Sequence, residues 1–257
     1  MLRKINQDAL LVSAPVYVVA DGMGGHDGGE VASALVVDQF AALAGRSLTP
    51  AEAVSAIHDA LSMGQARIKE YAAAQRAAGH QRFSAGTTVV LAVHVEAPGT
   101  QFVLANLGDS RAYRFLDGEL KQVSVDHSVV QELIDAGRLD AADAPHHPER
   151  NVVTRALGGL TDSAPDLFQL SLPPGGRILL CSDGVSGRLE HESMAAILAS
   201  TPDPRDAADR LVLAAVSEGG RDNATAVVID VMGWADDNPY DSSRERASLE
   251  EKLGVLP

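Results

Sequence analysis

Apolar residues in this chain fall mostly into short runs broken by Gly, Pro, Asp or Asn. Val16 to Ala20, Thr87 to Val95, Phe102 to Ala105 and Ala112 to Leu116 come first. Leu120 to Val125, Leu167 to Leu172, Arg177 to Cys181 and Ala224 to Val231 follow, all rich in Val and Leu. Runs of this length and composition predict strands. Asp117-Gly118 between two of them predicts a hairpin turn. Other stretches have a longer period. From Gly29 to Ala44, residues Val31, Leu35, Val36, Phe40 and Leu43 recur at helical spacing. Thr49-Pro50-Ala51-Glu52 predicts a capping box with Pro at the first helical position. The helix it opens runs to about Ala78, with Val54, Ile57, Leu61 and Ile68 on one face. A third helix is predicted from Asp203-Pro204 through Ala215.

The order is strands, two helices, many strands, a helix and a last strand. A parallel sheet would need a stricter alternation, so the pattern predicts antiparallel sheets with helices outside them. Residues 126 to 163 break the strand rhythm with a short helix and Pro145-His146-His147-Pro148, which reads as an inserted flap at about 129–159. After Val231, Asp236-Asp237-Asn238-Pro239 and Ser242-Ser243 read as a linker, and Arg244 to Leu253 as a short helix. The expected division is a catalytic domain over 1–232 and a tail over 233–257.

Composition narrows this picture. At 257 residues with 46% apolar content, the chain has material for a large core, although only 4% is aromatic. The formal net charge of −14 repels nucleic acid and anionic lipid, so neither is expected as a partner. The single cysteine, Cys181, sits in an apolar run and reads as a buried, inert thiol in a reducing compartment. Met1-Leu2-Arg3-Lys4 leads straight into polar residues, with no signal peptide, and no apolar run is long enough to span a bilayer. The expectation is a cytoplasmic monomer.

One pattern carries chemistry. Three apolar strands end in Asp beside a small residue: Val19-Ala20-Asp21-Gly22, Leu107-Gly108-Asp109-Ser110 and Cys181-Ser182-Asp183-Gly184. Asp222 precedes Asn223 at the mouth of the last strand, and Asp8 opens the first. One such pair is ordinary turn chemistry. The set is more: five carboxylates meeting on one rim would repel one another unless a cation lay among them. Donor sets made only of oxygen favour hard ions such as Mg²⁺ or Mn²⁺, and the glycines let the backbone come close enough for a carbonyl to join.

These residues lie in blocks that resemble a known family. Arg3-Lys-Ile-Asn-Gln-Asp8, Ala20-Asp-Gly-Met-Gly-Gly-His26 and Gly86-Thr-Thr88 come first. Gly108-Asp-Ser-Arg111, Asp126-His-Ser128, Arg155-Ala-Leu-Gly158, Cys181-Ser-Asp-Gly184 and Arg221-Asp-Asn223 follow. In this order, over residues 3 to about 231, they resemble the metal-dependent type-2C Ser/Thr protein phosphatases in their bacterial form. The resemblance implies an α+β fold, a four-layer α-β-β-α sandwich with two central antiparallel sheets. It implies hydrolysis of phosphoserine and phosphothreonine at a centre of two Mn²⁺ or Mg²⁺ ions, with a weaker third. By that resemblance Asp21 bridges both metals, and Asp183 and Asp222 hold the first. Asp8 and the Gly22 carbonyl help hold the second, Asp109 with Asp183 forms the third, and Arg3 binds the substrate phosphate. Phosphorylated proteins, with a Ser/Thr kinase and its substrates, are the implied partners.

The physics agrees with that assignment. Phosphate monoesters hydrolyse extremely slowly in water, and a pair of cations lowers the pKa of a shared water for direct in-line attack. A planar guanidinium at Arg3 would supply bidentate positive charge to the dianionic substrate. The position two residues after Asp21 is Met23, where many eukaryotic relatives carry a histidine. His26 and His147 are candidates for the acid but read more simply as structural. The family normally has further residues before the Arg3 block, so a less firmly anchored Arg3 is expected. Rival chemistries lack their residues: there is no Asp-x-Asp nucleophile after the first strand, Cys181 is not followed by Arg at Gly187, and no Gly-Lys-Ser/Thr loop occurs. A catalytically silent relative acting as a binding module is the remaining alternative.

Overall fold

The computed structural model describes residues 5–24, 28–159, 163–220 and 222–232. Among the described residues, ten strands form two antiparallel sheets. The first contains β1 (Asp8–Ser13), β2 (Val16–Met23), β4 (Val89–Val95), β5 (Gln101–Leu107) and β8 (Asp166–Ser171) in that spatial order, with β3 (Gly86–Thr87) also on β2. The second has the order β10 (Ala226–Asp230), β9 (Arg177–Cys181), β6 (Arg111–Leu116), β7 (Glu119–Gln122). Three apolar layers hold the stack. Val16, Val18, Leu91 and Val93 of the first sheet pack against α1 (Gly28–Phe40) and α2 (Pro50–Ala77) through Val36, Phe40, Ile57 and Ile68. Val19, Val90, Leu104, Ile178, Leu180 and Val227 fill the space between the sheets. Leu179, Val185, Met194, Leu198 and Leu211 seal the second sheet under α5 (His191–Ser200) and α6 (Pro204–Ser217). Alternation along each strand sends neighbours to opposite layers, as Leu179 and Leu180 show. This is the four-layer α-β-β-α sandwich that the resemblance implied.

The local predictions held where chemistry was explicit. The capping box at Thr49 is formed, with Glu52 N–H donating to Thr49 Oγ1 and Thr49 N–H donating to Glu52 Oε2. The hairpin at Asp117-Gly118 has φ of 52° and 81°, as a primed turn requires. Elsewhere the boundaries moved. The Thr87–Val95 run splits at Thr88, whose side chain is recruited to Asp21. Leu120–Val125 leaves the ladder after Gln122, because Val123 N–H and Ser124 N–H both turn to the Ala112 carbonyl while Ser124 Oγ accepts from Ala112 N–H. The first helix stops at Phe40 and tightens into a 3-10 turn over Ala41–Leu43. The inserted segment contains α3 (Val129–Asp135) and a 3-10 turn (Ala141–His146) and otherwise runs as loop. The short helix α4 (Asp183–Ser186) follows β9 directly. Among the described residues, no helix is long and apolar enough to cross a membrane.

Candidate metal centre

The rim carboxylates belong to both sheets. In the first sheet, Asp8 stands opposite Asp21 across β1 and β2, at the start of one strand and near the end of its antiparallel partner. In the second, Asp183 follows β9 and Asp222 precedes β10, two strands paired through Cys181 and Ala226. Asp109 lies in the turn between β5 and β6. The sandwich therefore brings residues from distant parts of the chain to one place.

Asp8 bridges the layers. Its Oδ2 accepts from Ser182 Oγ at 2.9 Å and Thr225 Oγ1 at 2.7 Å, both from the second sheet's rim. Its Oδ1 is buried and has no hydrogen-bond partner among the described residues. Asp21 is fixed through its backbone: its N–H donates to Thr88 Oγ1 (3.2 Å), and its carbonyl accepts from Thr88 N–H (2.9 Å) and Thr87 Oγ1 (2.9 Å). Thr88 Oγ1 in turn lies 2.8 Å from Ser110 Oγ, beside Asp109. Two glycines permit the close approach. A Cβ at Gly22 would sit 2.1 Å from the Gly29 carbonyl oxygen, and one at Gly184 would sit 1.8 Å from the Asn223 carbonyl oxygen. Any side chain there would force the loops apart.

Electrostatics show the strain of gathering these groups. Burial pushes the Asp21 carboxyl well above the usual carboxylate range, and the charges of Asp8, Asp183 and Asp109 push it further. The Asp21 carboxyl lies near those of Asp8 and Asp183, and like charges gathered in this way favour a proton or a bound cation among them. Asp8 is raised chiefly by burial, against the pull of the Thr225 and Ser182 hydroxyls. Asp183 is raised by burial and by Asp222. Burial, with Asp183 and Asp126, pushes Asp109 up to about 7. Arg111 does little to relieve this, because it is already bound to Asp126 by bonds of 2.7–3.0 Å.

These observations fit hard divalent cations. The donors are all oxygen, one buried carboxylate oxygen lacks a partner, and negative charge is in excess. Among the described residues, no three His, Cys, Asp or Glu side chains close on one point as a finished cage. Mg²⁺ and Mn²⁺ do not require one, since such ions keep water in several coordination positions and take one or two carboxylates each.

The structure places the candidate residues unevenly. Asp8, Asp21, Gly22, Asp109, Asp183 and Asp222 are all described at or beside the rim. Arg3 and His26 lie outside the described residues. His147 makes a local bond within the insert, its Nδ1 accepting from Glu149 N–H at 3.2 Å. Sequence reasoning missed the supporting shell of Ser182, Thr225, Thr88 and Asn223. Asn223 Oδ1 accepts from Gln7 N–H (3.0 Å), and its Nδ2 donates to the Ile5 carbonyl (3.3 Å), strapping the segment before β1 to the mouth of β10. The available signal was a hydroxyl or amide beside two of the aspartates, Ser182 before Asp183 and Asn223 after Asp222; Thr88 and Thr225 had none.

Comparison with known proteins gives the lineage. The family model for Protein phosphatase 2C matches residues 3–214. The serine/threonine protein phosphatase PstP of Mycobacterium tuberculosis is 36% identical over 234 residues, 91% of this chain. The match spans only 44% of that protein, so the chain covers under half the length of this relative. A crystal structure of PstP/Ppp from the same organism superposes with a TM-score of 0.81 at 34% identity, over 91% of this chain and 95% of that one. Another, of the PstP catalytic domain in complex with two manganese ions, gives 0.74 at 34% identity over 91% and 94%. With the family match spanning most of the sequence and the fold agreeing, the chain belongs to the protein phosphatase 2C family.

Proposed function

We propose that this chain is a metal-dependent protein serine/threonine phosphatase. The observation that carries the reading is the gathering of Asp8, Asp21, Asp109 and Asp183 at one rim, each raised by burial, with Asp8 Oδ1 left without a partner among the described residues. Asp21, central to that rim, would be shared by the two ions. Asp183 and Asp222 would serve one ion, and Asp8 and the Gly22 carbonyl the other. Asp109 with Asp183 offers a third place. Two divalent ions would formally balance the charge of Asp8, Asp21, Asp183 and Asp222. Manganese and magnesium are the ions proposed, by the oxygen chemistry of the site and by the two manganese ions in the PstP structure.

Bound there, the ions supply Lewis acidity that activates water and offsets the charge of a phosphate monoester. The protein's own work is positioning. Ser182 and Thr225 fix one oxygen of Asp8 and leave the other without a partner among the described residues. Thr87 and Thr88 hold the Asp21 backbone, so its carboxylate has little freedom to turn away. Arg3 is the proposed phosphate-binding cation. The substrates proposed are phosphoserine and phosphothreonine on cytoplasmic proteins, with a kinase acting on the same targets. Residues 1–232 form the proposed catalytic domain, and the insert at 129–159 bears on which phosphoprotein is accepted. A silent binding module is disfavoured because every rim aspartate is present.

The test is turnover of p-nitrophenyl phosphate and a phosphothreonine peptide, with Mn²⁺ and with EDTA. Turnover that needs Mn²⁺ and disappears in Asp21→Asn supports the proposal. Absence of metal-dependent turnover in the unaltered chain overturns it.

A further inference from the structure

His127 is a buried histidine, 5% exposed, that the metal chemistry does not use. It grips the turn carrying Asp109 from two sides. Its backbone N–H donates to the Gly108 carbonyl (2.9 Å), and Gly108 N–H donates to its ring Nδ1 (3.1 Å). The Asn106 side-chain amide holds the same Gly108 carbonyl at 3.1 Å and the Val125 carbonyl at 3.0 Å. On the other side of the ring, Nε2 lies 3.2 Å from Asp166 Oδ2 and 2.8 Å from the Arg155 guanidinium. The His127 carbonyl accepts from Thr154 N–H at 2.9 Å, and Ser128 pairs with Val153 where the insert begins and returns. One residue therefore touches both the Asp109 turn and the base of the insert.

The hydrogen bonds select a protonation state. Gly108 N–H needs an acceptor at Nδ1, so the ring proton belongs on Nε2, where Asp166 Oδ2 receives it. The Arg155 guanidinium, 2.8 Å from Nε2, can only donate, so with the proton there the two face each other without a hydrogen bond. Its protons have their own acceptor, because both terminal nitrogens reach Asp166 Oδ1 at 3.0 Å. Moving the ring proton to Nδ1 would turn it against Gly108 N–H and lose the bond to Asp166. A doubly protonated ring would meet the same clash. Burial, which pulls the imidazole below its ordinary value, also favours the neutral ring.

We propose that His127 is a positioning residue, a neutral imidazole with its proton on Nε2 whose Nδ1 sets the Gly108–Asp109 turn and whose Nε2 ties that turn to Asp166, itself held by Arg155 at the base of the insert. The link to metal binding rests on the proposed role of Asp109; the hydrogen-bond assignment does not.

Two measurements test it. The first is the ¹⁵N spectrum of the His127 ring in the metal-free protein at neutral pH. A neutral ring protonated on Nε2 is expected; a ring protonated on Nδ1, or on both nitrogens, overturns the proposal. The second compares His127→Asn with His127→Gln. Asn places its side-chain oxygen near the Nδ1 position, and Gln places its own near Nε2. His127→Asn should keep the Gly108 amide protected from hydrogen exchange and hold Mn²⁺ affinity within about threefold. His127→Gln should lose the protection and weaken Mn²⁺ binding about tenfold, as loss of an outer support does at metal sites. Both lose the ring, so a purely structural residue would give two variants with equal exchange and equal affinity, and that result overturns the proposal. A chain that turns over phosphopeptide with Mn²⁺ while the two variants behave alike refutes this inference alone. A chain showing the expected exchange pattern without any turnover refutes the phosphatase reading alone.

Discussion

Strands β9 and β10 carry charge at both ends, and the two ends are built in opposite ways. At one end Arg177 is 9% exposed in its side chain and paired with Asp230 at 2.7 Å. Its remaining donors reach the carbonyls of Leu198, Thr201 and Pro202 at 2.6–2.7 Å. Every buried charge there has its counterpart within the chain. At the other end Asp183 and Asp222 meet Asp21, Asp8 and Asp109, burial raises Asp21, Asp8, Asp183 and Asp109, and the nearby Arg111 is already committed to Asp126. The first end is complete and serves stability. Among the described residues the second gathers more carboxylates than guanidinium groups, which is the mark of a site.

The largest expected effect breaks the contrast at Asp21. Asp21→Asn removes one negative charge from the rim while keeping the shape. Metal-dependent turnover should fall to background in the p-nitrophenyl phosphate assay. The same substitution should raise the melting temperature in EDTA, because a buried charge under repulsion has gone. Lowered stability in EDTA would show that the rim is balanced after all. At the opposite end Asp230→Ala should do the reverse. It strands the Arg177 guanidinium at a cost of about 2–3 kcal/mol, limited by the three carbonyls that remain. Denaturant unfolding measures that loss, and turnover per folded molecule should not change.

The pH dependence sharpens the comparison. Asp109 and Asp21 hold protons in the folded, metal-free chain at pH values where the unfolded chain has released them. With more protons bound in the folded state, stability in EDTA should fall as pH rises from the ordinary carboxylate value of 3.8 to about 7, where Asp109 titrates. Mn²⁺ binds the ionised form, so the stabilisation it confers should grow over the same range. Melting curves in EDTA and in Mn²⁺ between about pH 5 and about pH 8 measure both slopes. A metal shift independent of pH would separate the ions from these carboxylates.

Much of this was legible in the sequence because it is written in local chemistry. Asp beside Gly after an apolar run marks the rim, and Thr49 with Glu52 marks the start of α2. What stayed hidden depends on partners distant in the chain. Thr225 serves Asp8 from 217 positions away and Asn223 serves Gln7 from 216, and no spacing rule foretells either. The Thr87–Val95 run conceals its break because Thr88 suits a strand as well as it suits Asp21. The helix α5 went unread because Met194 to Leu198 is a short apolar run with no side-chain cap before it. Such a run is as good a strand as a helix until packing against α6 and β9 decides.

The smallest expected effect lies beside the rim itself. Cys181 closes β9, one residue before Ser182 and two before Asp183, close enough to the rim to invite a nucleophilic role. Its surroundings argue otherwise. The thiol is fully buried among Leu179, Val185 and Tyr113, and burial pushes it up to about 12, so no thiolate is present near neutral pH. Cys181→Ala removes one sulfur from the layer beneath α6 and touches none of the rim oxygens. It should cost about 1 kcal/mol in denaturant unfolding. Metal-dependent turnover should change by less than about twofold, since the step from Leu180 to Ser182 is held by backbone pairing with Thr225 and Val227 rather than by the thiol. A collapse of turnover with stability intact would move the chemistry from the carboxylates to the sulfur, and with it the meaning of the uncompensated end.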